Sequence, residues 1–401
     1  MFRSAANRLN SVRGRFSSSK ATSPHTFVEE SLARYSPGGY HPKNKIVCKL
    51  GYGLYSTVWL AFDQREKRHF ALKILTADSY DGKHDTFEMA ILKKIKSQSA
   101  NIRGPGPQSL LGLVGDFEHT GPHGKHTCLV FEAMGLDMSK FRRLFPRACI
   151  PVPLLKDITR QLLSALALLH DTCKVIHCDI KPQNLLIETP KIASLFSSLS
   201  SDNFVPQRRP LDPPHDFYME SMQVSSAQED LAQVPSVAVR LADFGTASWV
   251  DRHLTEWIQP QMLRAPEVIL GAPWDHKVDV WNLGLIIWEF AEGSLVFDGT
   301  WTATAPYSSE AHLAQMQAVL GSMPQSLLTR SKHRSKFFRE DGTLREPSPF
   351  PHTPLESICR NTAFDHSDKA LFLDFIARMI QLEPQARPDA RELLLHEWLK
   401  Q

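Results

Sequence analysis

The change from short β-type patterns to long helical patterns is the feature of this sequence that most constrains its fold. Between residues 46 and 75, three short runs rich in apolar and β-branched residues are separated by polar turns, which is typical of antiparallel strands. A helical pattern at 84–96 and two strand patterns at 110–117 and 126–132 complete a small predicted sheet. Beyond Pro153 the patterns are largely helical, at residues 154–170, 278–291, 311–320, 368–380 and 390–399. We therefore expect an α+β protein with a small antiparallel β lobe and a larger, mainly helical lobe.

Length and charge narrow the class of protein further. The chain has 401 residues, more than one compact core usually holds, so two lobes are expected. Its formal net charge is +3, and residues 1–28 contribute +5 because they contain five basic residues and no acidic one. The rest of the chain therefore carries −2. Such a balance does not favour direct binding to nucleic acid.

Residues 1–40 are predicted to be a basic leader or tail that is rich in Ser and Arg. Within them Phe2, Ala5, Leu9, Val12 and Phe16 recur at helical spacing while the arginines occupy other faces, which is typical of a mitochondrial presequence. A disordered basic tail explains the same composition. The first alternative predicts a mitochondrial protein, and the second predicts a protein of the cytoplasm and nucleus.

A second unusual stretch, residues 188–236, is rich in Pro and Ser and has little periodicity. It is too long for a normal connection within a compact domain, so we expect an inserted and partly disordered loop.

The cysteines and the apolar runs indicate the surroundings of the protein. The chain has six cysteines and no C-x-x-C pair, which favours free thiols in a reducing compartment over a disulfide framework or a zinc site. No apolar run approaches the roughly 18 residues that a membrane-spanning helix needs. We therefore expect no membrane association, and a monomer.

A glycine-containing turn and a lysine in the β-rich region predict a nucleotide site. Gly51 and Gly53 lie between two predicted strands, where small residues let backbone N–H groups approach phosphates, although an ordinary β-turn has the same pattern. Lys73 ends an apolar strand, and its ammonium is suited to the α- and β-phosphates of ATP. Glu88, on the helix that follows, is placed to pair with Lys73 and fix its position.

The strongest signal is the stretch from Val175 to Ile187, in which polar residues at fixed offsets lie between two apolar strands. Asp179 is suited to accept the proton of a substrate hydroxyl, and Lys181 to neutralise charge on a transferring phosphoryl group. Asn184 is suited to hold a magnesium ion. We take these three residues as the candidate catalytic residues.

The stretch resembles the protein-kinase catalytic loop, and Asp243-Phe244-Gly245 followed by Ala265-Pro266-Glu267 resembles the start and end of a kinase activation segment. The chain thus resembles a eukaryotic protein kinase from about residue 43 to residue 399. The resemblance implies a bilobal protein-kinase fold with an N-lobe at about 43–134 and a C-lobe at about 135–399. It also implies ATP and Mg²⁺ as cofactors, Asn184 and Asp243 as metal ligands, and a protein substrate with a Ser or Thr acceptor.

Further roles follow from the kinase resemblance alone. Asp279 should anchor the backbone of the catalytic loop, and Glu267 should form a buried ion pair with Arg387. Glu132 and Met134 should offer backbone hydrogen bonds to adenine, with Phe131 as gatekeeper. The residues implied to sandwich the adenine ring are Leu50, Val58, Ala71 and Leu186, and those implied to join the lobes in a packed column are His177, Phe244, Leu92 and a residue near Leu113.

The finer resemblance is to the SR-protein kinases, which phosphorylate serines of Arg/Ser-rich proteins. It rests on the sequences at Lys49–Gly53, Ala71–Asp78, His177–Pro182 and His396–Leu399, and on the position of the insert between catalytic loop and Asp243. It implies an Arg/Ser-rich substrate. The stretch His312–Gly321 is also similar to the motif of the LAMMER-type dual-specificity kinases, which rank second. A pseudokinase scaffold is disfavoured because Lys73, Asp179, Asn184 and Asp243 are all present.

Departures from that pattern concern the activation segment. Cys178 replaces the arginine that precedes the catalytic aspartate in most kinases, so no cation waits there for a phosphorylated loop, and activity without loop phosphorylation is expected. Pro260, Gln261 and Leu263 replace the threonine, arginine and tyrosine expected from the relatives, in a segment that contacts substrate in the family. Lys181, two residues after Asp179, supports a preference for Ser and Thr.

Overall fold

The computed structural model of the protein describes residues 47–53, 55–63, 65–79, 86–121, 124–188, 209–211, 216–218, 235–361 and 363–400. The leader predicted at residues 1–40 lies outside these ranges. Of the insert predicted at 188–236, they include only Glu188, a short hairpin and the last two residues.

Among the described residues, the N-terminal lobe contains a five-stranded antiparallel sheet. Its strands are β1 (Cys48–Gly53), β2 (Ser56–Asp63), β3 (Arg68–Leu75), β4 (Leu113–Gly121) and β5 (Gly124–Glu132), in the spatial order β1-β2-β3-β5-β4. Helix α1 (Glu88–Ser99) packs on this sheet through Ile91, Leu92 and Ile95, which are fully buried. The spacing of these three apolar residues is that of one helical face, as the sequence indicates.

The boundaries of two N-lobe elements differ from the prediction. Helix α1 begins at Glu88 rather than at residue 84, and residues 80–85 lie outside the described ranges. Strand β4 begins at Leu113, because Leu110 instead forms a parallel bridge with Leu241 of the C-lobe. That bridge ties the chain between α1 and β4 to the strand that precedes Asp243.

The C-terminal lobe is mainly helical. Helix α2 (Pro105–Gln108) lies between α1 and β4 but packs against α4 (Val152–Ala167) of this lobe. The helices of the lobe itself are α3 (Met138–Phe141), α4, α5 (Pro266–Leu270), α6 (Lys277–Glu292), α7 (Ser309–Leu320), α8 (Gln325–Thr329), α9 (Arg334–Phe337), α10 (Leu355–Ile358), α11 (His366–Met379), α12 (Ala390–Leu393) and α13 (Glu397–Lys400). Helix α6 is buried around most of its circumference, which marks it as the central helix of the lobe. The small β lobe and the larger helical lobe confirm the predicted fold class.

Two predicted helices differ in detail from those observed. The helix expected at 154–170 is α-helical only to Ala167 and continues as a wider π-type turn, Leu168–Cys173, which ends at Lys174 with φ of 59°. The continuous helix expected at 390–399 is wrong. Hydrogen bonds from Leu395 N to Glu392 O and from His396 N to Leu393 O tighten the chain after α12. At the start of α13, the imidazole of His396 accepts a hydrogen bond from Trp398 N.

Short two-stranded ribbons position the loop between the lobes. Strand β6 (Val175–Ile176) pairs with β11 (Ser248–Trp249), and β7 (Leu185–Ile187) pairs with β10 (Val239–Leu241). Between them, β8 (Arg209–Leu211) and β9 (Asp216–Tyr218) form a separate hairpin. Because β6 and β7 flank residues 177–184, both ends of that loop are held by strand pairing. Among the described residues, no helix has the length and hydrophobicity needed to cross a bilayer.

Candidate active site

The three candidate catalytic residues meet in the loop between β6 and β7. Oδ2 of Asp179 accepts hydrogen bonds from Nζ of Lys181 at 2.6 Å and from Nδ2 of Asn184 at 3.0 Å. The same Asn184 amide donates to the backbone oxygen of Asp179 at 2.9 Å. The aspartate is therefore held in one orientation by a cation and an amide, with the cation beside the carboxylate that would receive a proton.

The backbone of this loop is anchored on Asp279 of α6. Its Oδ2 accepts from His177 N at 2.7 Å and from Nε2 of His170 at 2.9 Å, while Oδ1 accepts from Cys178 N at 3.0 Å. Burial alone would raise the pKa of Asp279, but the hydrogen bond from His170 leads a set of interactions that lower it. The carboxylate is thus ionised, and the predicted contact between Asp279 and the catalytic-loop backbone is confirmed.

Cys178 has a left-handed backbone, with φ of 67°, which is uncommon for a residue other than glycine. The hydrogen bond from its N–H to Asp279 holds that conformation immediately before Asp179. Its thiol is fully buried, and burial raises the pKa of that thiol well above its usual value. Cys178 therefore acts here as a neutral packing residue.

Lys73 connects the two lobes electrostatically. Its Nζ lies 2.6 Å from Oε1 of Glu88 on α1 and 2.8 Å from Oδ1 of Asp243. Burial would lower the pKa of Lys73, yet the Asp243 and Glu88 carboxylates raise it, so the ammonium stays charged. The same ammonium holds the pKa of Asp243 well below its usual range. The predicted pairing of Lys73 with Glu88 is confirmed, and Asp243 joins it.

Asp243 is fixed to the catalytic loop by its neighbours. The N–H of Ala242 donates to Asn184 O at 2.8 Å, and the Ala242 carbonyl lies 3.0 Å from Nε2 of His177. The rings of His177 and Phe244 pack edge to face, with centroids 5.1 Å apart. Leu92 and Leu113, which the kinase resemblance places in one packed column with His177 and Phe244, belong to the same large buried core as Phe244. These contacts bring Asp243 and Asn184 to the same side of the loop.

The donor set at this point fits a hard divalent cation. Among the described residues, Oδ1 of Asn184 and Oδ2 of Asp243 accept no hydrogen bond, and the Asp243 side chain is 48% exposed. A carboxylate and an amide oxygen are the ligand types that Mg²⁺ prefers, with water and phosphate oxygens completing its coordination. The residues therefore fit the metal that the sequence predicts.

The predicted nucleotide-binding residues lie on the N-lobe sheet and α1, at the link between the lobes and, for Leu186, on β7 of the C-lobe. Gly51 and Gly53 are at the end of β1, and a Cβ added at Gly51 would meet no protein atom within 4 Å, so packing does not require glycine there. Glu132 ends β5, and Met134 follows in the link to the C-lobe. The apolar residues predicted around adenine, Leu50, Val58, Ala71 and Leu186, all belong to or pack against the main core, as Met134 does.

Gln259 has a structural role that sequence reasoning missed. Its N–H donates to Cys178 O at 3.1 Å, and its Nε2 donates to Val278 O at 2.9 Å and to Asn282 at 3.0 Å. Its Oε1 accepts from Ala265 N at 2.9 Å. One neutral side chain thus joins the catalytic loop, α6 and the end of the activation segment. The sequence contains no signal for this role, because the partners are mostly backbone atoms.

Arg264 supports the same segment from within. Its guanidinium donates to the backbone oxygens of Ile258 at 2.9 Å and Gln259 at 2.8 Å, and lies over the Trp257 ring at 4.0 Å. Burial lowers the pKa of Arg264. The loop from Trp257 to Arg264 is therefore folded around its own arginine.

The end of the activation segment is fixed by the ion pair predicted between Glu267 and Arg387. Two parallel hydrogen bonds of 2.6 and 2.8 Å join the guanidinium to the carboxylate, and both side chains are fully buried. The prediction of a buried ion pair is confirmed.

Comparison with known families agrees with this arrangement. The protein kinase domain matches residues 45–399, which is most of the chain. The chain therefore belongs to the protein kinase family.

Individual relatives narrow this class to serine/threonine kinases of the SRPK type. The chain is 32% identical to the serine/threonine-protein kinase SRPK of Physarum polycephalum, over 92% of this chain and 91% of the relative. It is 26% identical to protein kinase dsk1 of Schizosaccharomyces pombe, over 93% and 85% of the two chains. It is 24% identical to human SRSF protein kinase 3, over 92% and 90%. The protein is a serine/threonine protein kinase, and the predicted similarity to the SRPK group is confirmed.

Proposed function

We propose that this kinase transfers the γ-phosphoryl group of ATP to Ser or Thr hydroxyls of Arg/Ser-rich proteins. The proposal rests on two linked clusters of polar side chains. In one, the Asp179 carboxylate accepts hydrogen bonds from Lys181 and Asn184, and in the other the Asp243 carboxylate forms an ion pair with Lys73. The two clusters are joined by the hydrogen bond from Ala242 N, the residue before Asp243, to Asn184 O.

In this proposal, Asp179 orients the substrate hydroxyl and accepts its proton. Lys181, already 2.6 Å from the carboxylate, supplies positive charge where the transferring phosphoryl group spreads negative charge over its oxygens. Lys73 holds phosphate oxygens, with Glu88 keeping its ammonium in place. Little covalent chemistry is required of the protein, because phosphoryl transfer is accelerated mainly by positioning and electrostatic stabilisation.

Asn184 and Asp243 are the proposed metal ligands. Bound Mg²⁺ would neutralise charge on the phosphates during transfer. Lys73 forms an ion pair with Asp243 and lowers the pKa of that carboxyl, so the carboxylate stays ionised. Adenine is proposed to bind between Leu50, Val58, Ala71 and Leu186, beside the backbone of Glu132 and Met134, with Gly51 and Gly53 over the phosphates.

The Arg/Ser-rich substrate class is supported by relationship and by charge. One relative is named for SRSF proteins, and the chain beyond residue 28 has a net charge of −2, which is compatible with basic substrates. Pro260, Gln261 and Leu263 differ from the residues that the family resemblance predicts, so the preference near the acceptor serine need not equal that of the relatives.

We also propose that the kinase is active without phosphorylation of its activation segment. Cys178 is neutral and buried, so it offers no cation to a phosphate. Gln259 connects the activation segment to the catalytic loop through uncharged hydrogen bonds instead. Enzyme produced in bacteria and treated with phosphatase should retain turnover; complete loss of turnover on a panel of peptides would contradict this.

The decisive experiment measures Mg²⁺-dependent ATP turnover on a basic Ser-rich peptide by the wild type and by Asp179→Ala. The wild type should phosphorylate serine, and the variant should lose at least about a hundredfold in kcat, within the range for a positioned general base. Asp157→Ala, at a half-buried position of α4 outside the catalytic loop, is the control for substitution of an aspartate. Equal activity of wild type and Asp179→Ala would remove Asp179 as the base.

Location in the cytoplasm and nucleus is proposed for the full chain, with the mitochondrion as the alternative if residues 1–28 act as a presequence. Imaging of the chain with and without those residues separates the two. A mitochondrial signal that disappears on truncation would support the presequence, and an unchanged signal elsewhere would exclude it.

A further inference from the structure

Residues 330–336 contain the tripeptide Arg-Ser-Lys twice, at 330–332 and at 334–336, with only His333 between the two copies. The segment follows α8 and leads into α9, outside the catalytic cluster. A serine next to an arginine among other basic residues is the sequence that the proposed function takes as its substrate. The kinase therefore carries its own substrate motif in duplicate.

The two serines differ in their surroundings although their neighbours in sequence are identical. Ser335 is exposed, and its hydroxyl forms no hydrogen bond within the described part of the chain. Ser331 is half-buried, and its hydroxyl donates to the carbonyl oxygen of Leu327 at 2.6 Å. A kinase that acts on the folded protein therefore meets one accessible hydroxyl and one that is already engaged.

The arginines that precede the two serines differ in the same way. Arg330 forms an ion pair with Glu383, and both side chains are partly buried. Arg334 forms no ion pair with a carboxylate in the described ranges, and its guanidinium donates to the carbonyl oxygen of Glu340 at 2.6 Å. A positive charge attracts an acidic surface less when an anion already lies beside it. The copy at 334–336 is therefore the one that an enzyme can recognise.

Ser335 lies in an element that opens easily. Helix α9 is a single turn, and no side chain caps its start, so it gains little stability of its own. Its main-chain hydrogen bonds include those from Lys336 N to His333 O, at 3.0 Å, and from Phe338 N to Arg334 O, at 2.8 Å. A second enzyme molecule needs to open only this turn to take the serine into its active site.

A phosphate on Ser335 would have a cation beside it. The bridge between Phe338 and Leu344 returns the chain to α9, where Nε of Arg345 donates to the carbonyl oxygen of Ser335 at 2.6 Å. Among the described residues, Arg345 forms no ion pair with a carboxylate, and its terminal guanidinium nitrogens donate no hydrogen bond. A phosphoserine carries about −1.5 to −2 charges at pH 7, and an arginine in this position can bind it through those nitrogens.

We propose that Ser335 is a phosphorylation site, that a second copy of this kinase modifies it, and that Arg345 binds the phosphate once it is attached. The Ser335 oxygen attacks the γ-phosphorus of ATP on the second copy, the bond from that phosphorus to the β,γ-bridging oxygen breaks, and ADP leaves. The hydroxyl proton passes to the catalytic aspartate of that copy. The inference rests on the proposed function and adds to it, because it names one protein substrate and selects one serine from two identical motifs.

The first test uses the full chain with Asp179→Ala as the acceptor, since this variant is expected to lack the turnover needed to modify itself. The acceptor is labelled with heavy nitrogen, wild-type kinase is added with Mg²⁺ and ATP, and phosphate at each serine is followed by mass spectrometry. Ser335 should be modified at least about tenfold faster than Ser331, because Ser331 must first lose its hydrogen bond. In a synthetic peptide of residues 327–340, where the fold is absent, the two serines should react at similar rates.

Variants of the acceptor then assign the modification. Ser335→Ala should remove the phosphate at this segment, whereas Ser331→Ala is the matched control and should leave modification of Ser335 unchanged. The rate at Ser335 should rise in proportion to the concentration of the wild-type kinase, and the acceptor incubated alone with ATP should gain no phosphate.

The role of Arg345 is tested without kinase activity. Phosphoserine is placed at position 335 during translation, and its removal by an added phosphatase is timed. Removal should be several-fold faster in Arg345→Gln than in the protein that keeps Arg345. Arg378→Gln, at an exposed position of α11 where the arginine pairs with Asp374, is the control and should not change the rate. Equal rates with and without Arg345 would overturn its role in binding the phosphate.

The outcomes separate this inference from the proposed function. If the synthetic peptide is phosphorylated but Ser335 of the folded acceptor is not, or if Ser331 of the folded acceptor reacts as fast as Ser335, the inference is overturned and the proposed function stands. If neither this peptide nor any other basic Ser-rich peptide is phosphorylated, the proposed substrate class fails, and modification by a second copy fails with it.

Discussion

Replacing Asp279 by Asn tests how the catalytic loop is held. Three hydrogen bonds end on the Asp279 carboxylate, from His177 N, Cys178 N and His170, at 2.7, 3.0 and 2.9 Å. An amide has only one oxygen. The orientation that retains most bonds keeps its oxygen toward His177 and His170, and it turns the amide nitrogen toward the N–H of Cys178.

The expected cost follows from those contacts. A hydrogen bond to a charged group contributes about 1.5–3 kcal/mol, so loss of the Cys178 bond and weakening of the other two should lower the free energy of unfolding by about 2–4 kcal/mol. Cys178 has φ of 67°, a conformation that needs outside support. When the hydrogen bond from Cys178 N to residue 279 is lost, Asp179 shifts together with Cys178, and a displacement of about 1 Å can lower the rate roughly a hundredfold.

The assay combines urea unfolding with steady-state kinetics on the basic Ser-rich peptide. We expect kcat to fall by about a hundredfold while KM for ATP changes little, since Lys73 and Asp243 keep their own contacts. Asp275→Asn is the matched control, because among the described residues the Asp275 carboxylate accepts a hydrogen bond only from Lys277 N, at 2.9 Å, near the start of the same helix. If Asp279→Asn were destabilised yet retained kcat within twofold, the carboxylate would support the fold without positioning Asp179.

Three other substitutions probe the surrounding contacts. Glu267→Gln should lower the free energy of unfolding by about 3–5 kcal/mol, because it leaves a buried guanidinium without its counter-charge, and adding Arg387→Met should recover part of that loss in urea unfolding. Gln259→Leu should lower kcat at least about fivefold and speed proteolysis of the activation segment, because Val278 O and Ala265 N lose their partner. A wild-type kcat together with a wild-type rate of proteolysis would contradict the role of Gln259 in joining the activation segment to α6 and the catalytic loop. His312 is fully buried, and burial, with the nearby Arg264, lowers its pKa from 6.5 to about 3. The unfolded chain takes up the proton first as pH falls, so His312 should cost the wild type about 1 kcal/mol of stability between pH 6.5 and 5.5, a loss that ends below about pH 3. His312→Leu should lack this part of the pH dependence, as measured by urea unfolding at each pH.

Two contacts between distant residues form as predicted: Lys73 and Glu88 are 15 residues apart, and Glu267 and Arg387 are 120 apart. The first follows from a lysine at the end of a strand and a glutamate on the next helix, whereas the second is implied by the kinase resemblance alone. Both pairs are largely buried, where a charge is stable only beside an opposite partner. The alternation of the strands and the apolar face of α1 are equally direct consequences of periodicity.

The features that could not be predicted depend on backbone partners or on local competition between turns. Gln259 forms three of its hydrogen bonds with main-chain atoms, which any sequence supplies. The interruption after Leu393 arises because i to i+3 bonds and the His396 cap replace helical ones, although residues 390–399 have a helical pattern. A cleft beside Trp257 is lined by residues from three separate segments, so the sequence of no single segment predicts it.

The activation segment can vary in sequence without losing its shape, for a reason visible in its hydrogen bonds. Arg264 binds the carbonyls of Ile258 and Gln259, so its two contacts do not depend on the side chains at positions 260–263. Gln259 attaches the same segment to α6 and to the catalytic loop without involving those positions either. Substitutions such as Pro260, Gln261 and Leu263 can therefore change what the segment presents to a substrate while Asp179 stays in place. Positioning of the base is thus physically separate from positions 260–263, which allows the catalytic chemistry to be retained when those positions change.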